Sequence, residues 1–228
     1  MTHQHTDHPS SEPPTRVVLH PIASPLPLGF LALAVATTAF ATVQLRWIPP
    51  SESHTVALAV LALTVPMQLV AAVMGFLARD PVAATGMGIL SGTWAAVGLA
   101  TLTSPPGASS AGLGVVLLCS AACLLVPGIA AHSKVVPAAV IFTSAARFAL
   151  TGVAEIDGGR EWMTAAGWVG VVLAVLSLYA ALALELEGSA SRTVLPLGRN
   201  GAGRRAVDGR FPDQVQDVAT EPGVRQQL

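Results

Sequence analysis

Long uncharged runs, rather than alternating polar and apolar positions, dominate the middle of the chain. Gly29 to Leu45, Thr55 to Ala78 and Pro81 to Ser133 carry no charged side chain. Beyond Lys134, the run Val135 to Ala154 is broken only by Arg147, and Trp162 to Leu184 again has no charge. A helix needs about 20 mainly apolar residues to cross the hydrocarbon core of a bilayer, so the stretch 81–133 holds two crossings. The segment TSPPGASSAG (103–112) divides it, because paired prolines among small polar residues mark a turn. The pattern therefore predicts six spans, at about 28–45, 54–77, 82–103, 111–132, 135–153 and 163–184.

Composition agrees. Of 228 residues, 52% are hydrophobic and only 11% charged, against about 25% charged in ordinary soluble domains. The expected fold class is all-α: a polytopic membrane protein built as a six-helix bundle. A secretory signal peptide does not fit the opening stretch, which follows a long, weakly basic and histidine-rich segment and precedes five further spans. Arg16, Arg79, Lys134 and the arginines at 192, 199, 204, 205, 210 and 225 fall on one side of a six-span model, with only Arg46 and Arg160 on the other. Positive charge collects on cytoplasmic flanks, so both termini are expected in the cytoplasm of a multi-pass cell-membrane protein. Trp47 and Trp162 then fall at the outer interface.

Three segments follow: a disordered cytoplasmic tail at 1–20, a membrane domain at 21–188 and an arginine-rich cytoplasmic tail at 189–228. His3, His5 and His8 fit a mobile tail better than a metal site. Cys119 and Cys123 lie one helical turn apart inside a span and read as packing residues. The small residues Thr85, Gly86, Gly88, Ser91 and Gly92, and Ala165, Ala166, Gly167 and Gly170, offer faces for close helix packing. Pro66, Pro127 and Pro137 each remove a backbone donor inside a predicted span.

The motifs resemble those of the acetate uptake transporters, or succinate/acetate permeases, of bacteria and fungi. Ser24-Pro25-Leu26-Pro27-Leu28-Gly29-Phe30 is similar to that family's N-P-A-P-L-G-L signature. Residues 64–94 are similar to its pattern G-G-x-x-Q, A-G-M-W-E-F and A-T-A-F-x-S-Y-G-x-F-W, with Gln68, Ala71, Phe76, Ala84, Thr85 and Trp94 in register. Residues 165–188 and TVLPLG (193–198) resemble its last span and C-terminal motif. The chain departs from the pattern at Ser24, Thr64, Val65, Met74, Gly75 and Leu90. Leu90 stands where the family has a tyrosine associated with a narrow constriction.

The resemblance implies a membrane transporter or channel for a small carboxylate such as acetate or succinate, with protons as a companion species, further copies of the chain and the lipid bilayer as partners, and no cofactor. Candidate pathway residues are Ser24, Pro25, Gly29, Gln68 and Leu90, together with Arg147, which is singled out by its charge inside a span and not by the resemblance. Ser24 reads as an N-cap at a helix entry able to bind an anion or simply to start a helix. Gln68 lies mid-span, as a pore-lining amide or an interhelical hydrogen bond. Arg147, about 18 Å along its helix from Val135 at 1.5 Å per residue, either attracts anions or is neutralised by snorkelling or by pairing with Glu155 or Asp157. A divergent paralogue with a structural or regulatory role is the alternative. Neither an enzyme nor a nucleic-acid binder is expected, because no nucleophile with a base, ligand set or carboxylate dyad falls within the spans.

Overall fold

The computed structural model describes residues 23–190, 192–201 and 204. Six helices long and apolar enough to cross a membrane are present: α1 (Leu26–Gln44), α2 (Pro50–Leu77), α3 (Pro81–Thr103), α4 (Ala111–Ala130), α5 (Val135–Asp157) and α6 (Arg160–Ala190). The chain is thus a multi-pass membrane protein, and each predicted span is found. We call the end holding residues 23–26 and 192–201 the terminal face, and the opposite end the distal face. α1 packs chiefly on α6, α2 on α3 and α4 on α5, with further α5–α6 and α3–α4 contacts closing the bundle. Leu69, Phe76, Val126, Ile129, Val175 and Leu178 point outward, which suits a solvent of acyl chains.

Helix ends follow from local chemistry. Asp80 caps α3 by accepting from the Ala83 N–H at 2.9 Å, and Ser110 caps α4 by accepting from Leu113 at 3.3 Å. Both satisfy first-turn donors that a helix leaves orphaned. Ser24 does not act this way. The N-cap of α1 is Pro25, without a side-chain cap bond, and Ser24 is exposed. Pro27 occupies the first turn, where its missing N–H costs nothing.

Pro66 shapes α2. Its ring excludes the carbonyl one turn back, and the helix widens at Val60–Thr64, where the Val65 N–H reaches the Val60 carbonyl. The Thr64 hydroxyl in this wide turn donates to the Ala32 carbonyl of α1 at 3.0 Å, and Ser91 of α3 donates to the Val65 carbonyl at 2.9 Å. Thr64 and Val65, two departures from the family pattern, thus help join three helices. Pro137 lies inside α5 as expected, in its first turn, where its missing N–H costs nothing.

The expected G-x-x-x-G face is not a tight contact within the bundle. A Cβ at Gly88 would meet only Ala72 at 3.8 Å, and one at Gly92 would meet nothing within 4 Å. Close approach occurs instead at Gly75 against the Ala84 backbone, at Gly98 against Leu61, and between Gly114 and Gly152. At Gly75 and between Gly114 and Gly152 the missing side chain lets helix backbones nearly touch, while Gly98 receives the Leu61 side chain.

The tail expected to be free from residue 189 is corrected in part. α6 runs on to Ala190, and residues 193–200 fold back onto the terminal face. The carbonyls of Gly198 and Leu197 accept from Val135 and Val136 at 3.1 Å, and Asn200 donates to Ser133 at 2.9 Å. Lys134 supplies no side-chain cap to α5, so this strap satisfies its first-turn donors. Leu197 is buried, Tyr179 donates to the Pro196 carbonyl at 2.9 Å, and Arg199 pairs with Glu187. Residues 1–20, with His3, His5 and His8, and residues 205–228 lie outside the described residues.

Gly198 is the strap's sensitive point, because its φ is +64° and a Cβ there would come within 2.6 Å of the Val135 Cβ. Gly198→Ala is expected to cost at least about 1–2 kcal/mol from the backbone alone, read as a lower melting temperature in detergent. An unchanged melting temperature would mean that the strap is not fixed.

Candidate functional site

Two cavities enter the bundle from opposite faces. The distal cavity, about 290 Å³, is bounded by the distal ends of α1, α3, α4 and α5, with Pro50, Ser53 and the segment 104–110 at its rim. Arg46, Glu155 and Arg160 line its outer part, while Phe40, Trp94, Arg147 and Phe148 lie deeper. The terminal cavity is smaller, about 80 Å³, and is lined by Phe30, Met87, Pro137 and Ile141, with Asp80, Ser133 and Lys134 at its edge. Lys134 and Asp80 approach to 3.7 Å there. Both cavities are thus walled by α1, α3, α4 and α5.

Between them lies a layer of side chains without solvent contact. On α3 the distance from Met87 to Trp94 is roughly 10 Å at 1.5 Å per residue, and Leu90 sits in that interval, fully buried. Leu33 of α1, between Phe30 at the terminal cavity and Phe40 at the distal one, is buried as well. The bundle therefore has two mouths and an apolar middle.

Arg147 lies ten residues from the distal end of α5, roughly 15 Å deep, near the middle of a bilayer core. It is only 1% exposed. Its Nη1 donates to the Thr37 carbonyl at 2.9 Å and its Nη2 to Gln44 Oε1 at 3.1 Å. The guanidinium lies 5.4 Å from the Trp94 ring centroid. Gly170 makes room for it: a Cβ there would stand 2.9 Å from Cζ. Both neutralising alternatives from the sequence fall. The side chain does not snorkel, and no carboxylate pairs with it among the described residues. Glu155 instead accepts from the Ser110 backbone N–H at 2.7 Å.

Magnitudes show what holds Arg147. Inserting arginine at mid-bilayer costs about 2.5–3.5 kcal/mol on translocon scales. A hydrogen bond from a charged donor contributes about 1.5–3 kcal/mol, and a desolvated cation–π contact about 2. Two such bonds and the Trp94 ring keep the residue in place. They do not cancel its charge, and only two of five guanidinium N–H groups are used.

Trp94 is itself locked between Phe40, stacked at 5.6 Å, and Phe148, edge-on at 5.5 Å. Its Nε1 is buried without a hydrogen-bond partner. Gln44 holds its amide with Nε2 toward Thr151 Oγ1 at 3.3 Å and Met163 Sδ at 3.5 Å, which turns Oε1 to Arg147. Among the described residues no group of three or more His, Cys, Asp or Glu side chains could hold a metal.

The model of the GPR1/FUN34/yaaH family matches residues 8–198. The chain belongs to this family. It is the acetate transporter family that the motifs resemble. No curated protein matches the sequence. The solved structure of the bacterial acetate channel SatP is similar in fold, with a TM-score of 0.69 at 22% identity over 78% of this chain and 100% of that one.

Placed in this GPR1/FUN34/yaaH protein, the motif residues separate. Pro25 and Gly29 are buried at the start of α1, and Gly29 lets Met87 of α3 pack directly against the α1 backbone, which sets one wall of the terminal cavity. Pro25 and Pro27 have no N–H and Gly29 donates to the Pro25 carbonyl at 3.3 Å, so this entry keeps few free donors for an anion. Leu90 lies between the cavities. Gln68 lines neither, yet it is fully buried nine residues from the terminal end of α2 with both amide atoms unpartnered. No interhelical hydrogen bond explains it.

Sequence reasoning missed Gln44, Trp94 and Thr37 around Arg147. Trp94 was in register with the family pattern, which is a signal without a role attached; the Thr37 carbonyl has no sequence signature. Gly170→Ala tests this packing. The added methyl is expected to push the guanidinium off Thr37 and Gln44 and cost about 1–3 kcal/mol, as overpacking does. A lowered melting temperature with altered tryptophan emission would be the sign; neither change would mean that Gly170 does not seat Arg147.

Proposed function

We propose that the chain conducts or transports a small carboxylate, acetate or a close analogue, between the distal and terminal cavities. The observation that carries this is the pair of opposed cavities within the same four helices of an acetate transporter family member. Leaving a bare carboxylate in hydrocarbon costs several kcal/mol or more, so a path must meet the anion with donors. Arg147 supports this at the distal floor and Lys134 at the terminal edge. Gln68 supports it at the depth between them, where a buried amide without a partner is otherwise a cost with no return. Pro25 and Gly29 frame the terminal mouth with exposed Ser24 at its lip, and Leu90 is the apolar gate residue.

The terminal face is the cytoplasmic one in this proposal, supported by Arg79, Lys134 and the arginines near 192–204. Protons accompany the anion, so that net acid moves. Further copies of the chain pack on the outward small residues of α3, with Thr85 and Gly92 exposed.

Proteoliposomes holding the purified chain are expected to take up labelled acetate saturably and well above empty liposomes, with no comparable flux of neutral acetamide. Absence of carboxylate uptake by folded protein would instead favour the structural or regulatory paralogue.

A further inference from the structure

Arg147 is a full positive charge near mid-membrane whose protein partners are a carbonyl, an amide oxygen and an aromatic face. Independently, the Trp94 indole N–H, buried in the wall of the same cavity, has no acceptor. An aspartate or glutamate one turn away would have solved both problems, yet within a turn of Arg147 α5 offers only the polar side chains Thr143, Ser144 and Thr151, and their hydroxyls donate to the carbonyls of Ala139, Val140 and Arg147.

We infer that the floor of the distal cavity is a carboxylate-binding station, in which a small monocarboxylate supplies the counter-charge that the protein withholds from Arg147 and accepts the Trp94 N–H. The inference deepens the transport proposal and rests on it for the ligand's class. The geometry favours a carboxylate over a spherical anion. The guanidinium keeps N–H groups beyond those used on Thr37 and Gln44, and its planar fork matches two carboxylate oxygens. The Phe40 and Phe148 rings beside Trp94 give a short alkyl group an apolar wall. One cation at the floor selects a monoanion. Arg46 and Arg160 toward the mouth draw anions inward, while Glu155, also on the cavity wall, opposes a second carboxylate.

Gln44 is a positioning residue. Its amide is oriented by Thr151 and Met163, so that Oε1 accepts from Nη2 and fixes the guanidinium at the cavity wall.

The test uses equilibrium binding rather than flux, so that it can fail separately from the transport proposal. The chain has four tryptophans. Replacing Trp47, Trp162 and Trp168 by Phe leaves Trp94 as the sole reporter. In lipid nanodiscs its emission is expected to shift saturably with sodium acetate, less with disodium succinate and not with acetamide. Arg147→Lys, which keeps the charge but loses the fork, is expected to weaken acetate binding about tenfold, or 1.4 kcal/mol. Gln44→Leu is expected to weaken it less. Because the Lys variant risks misfolding, a Trp94→Phe chain read by saturation-transfer NMR with acetate gives a second measure, with weaker binding expected. No response of Trp94 to acetate in protein that carries acetate flux would overturn the station and leave transport standing. Equal affinity for chloride would overturn the carboxylate assignment. Acetate binding that depends on Arg147 in protein without flux would uphold the station and overturn transport.

Discussion

A guanidinium buried near mid-membrane without an acidic partner is the constraint around which the distal half of the bundle is arranged. Charge in a low-dielectric medium must be met by dipoles, rings or counter-ions. Here α1 gives a backbone carbonyl and a glutamine, α3 gives the face of Trp94, and α6 gives a glycine that makes room. Four helices thus converge on one side chain. Thr37 also donates to the Gly170 carbonyl at 3.4 Å, so the cradle ties α1 to α6 where it receives Arg147.

The opposite half is organised mainly by packing, with the Lys134–Asp80 and Arg199–Glu187 pairs at its face. Gly29 brings α1 onto Met87, Gly75 brings α2 onto Ala84, and the wide turn before Pro66 frees Thr64 to bond α1. The C-terminal strap completes this face, because α5 begins with donors that only its carbonyls satisfy. Between a charged distal floor and a packed terminal mouth lie the buried side chains of Leu33 and Leu90.

The spans were legible because uncharged runs of membrane length have few alternatives in water or lipid. The start of α1 was legible because Pro25 and Pro27 are unfavourable within a helix but are tolerated at its N-cap and first turn. The roles of the glycines were less so. Gly167 and Gly170 make the close contacts expected of the α6 face, but Gly88 and Gly92 formed the motif while Gly29 and Gly75 make the contacts, because spacing along one helix does not say which face meets a neighbour. Arg147 announced itself as a charge inside a span. Its partners did not, since Thr37 acts through a carbonyl and Gln44 through an amide more than a hundred residues away in sequence. TVLPLG was visible only as a family motif, because what holds it is mostly its backbone carbonyls, at Pro196, Leu197 and Gly198, accepting from Tyr179, Val136 and Val135.

The central claim is that the two cavities are ends of one path through the layer at Leu90. Acetate flux through proteoliposomes carrying Leu90→Ala, the unaltered chain and Leu90→Phe tests it most directly, with protein amounts matched. A path through this layer requires flux to rise severalfold with the smaller side chain and to fall with the larger. Identical flux in all three folded proteins would contradict it.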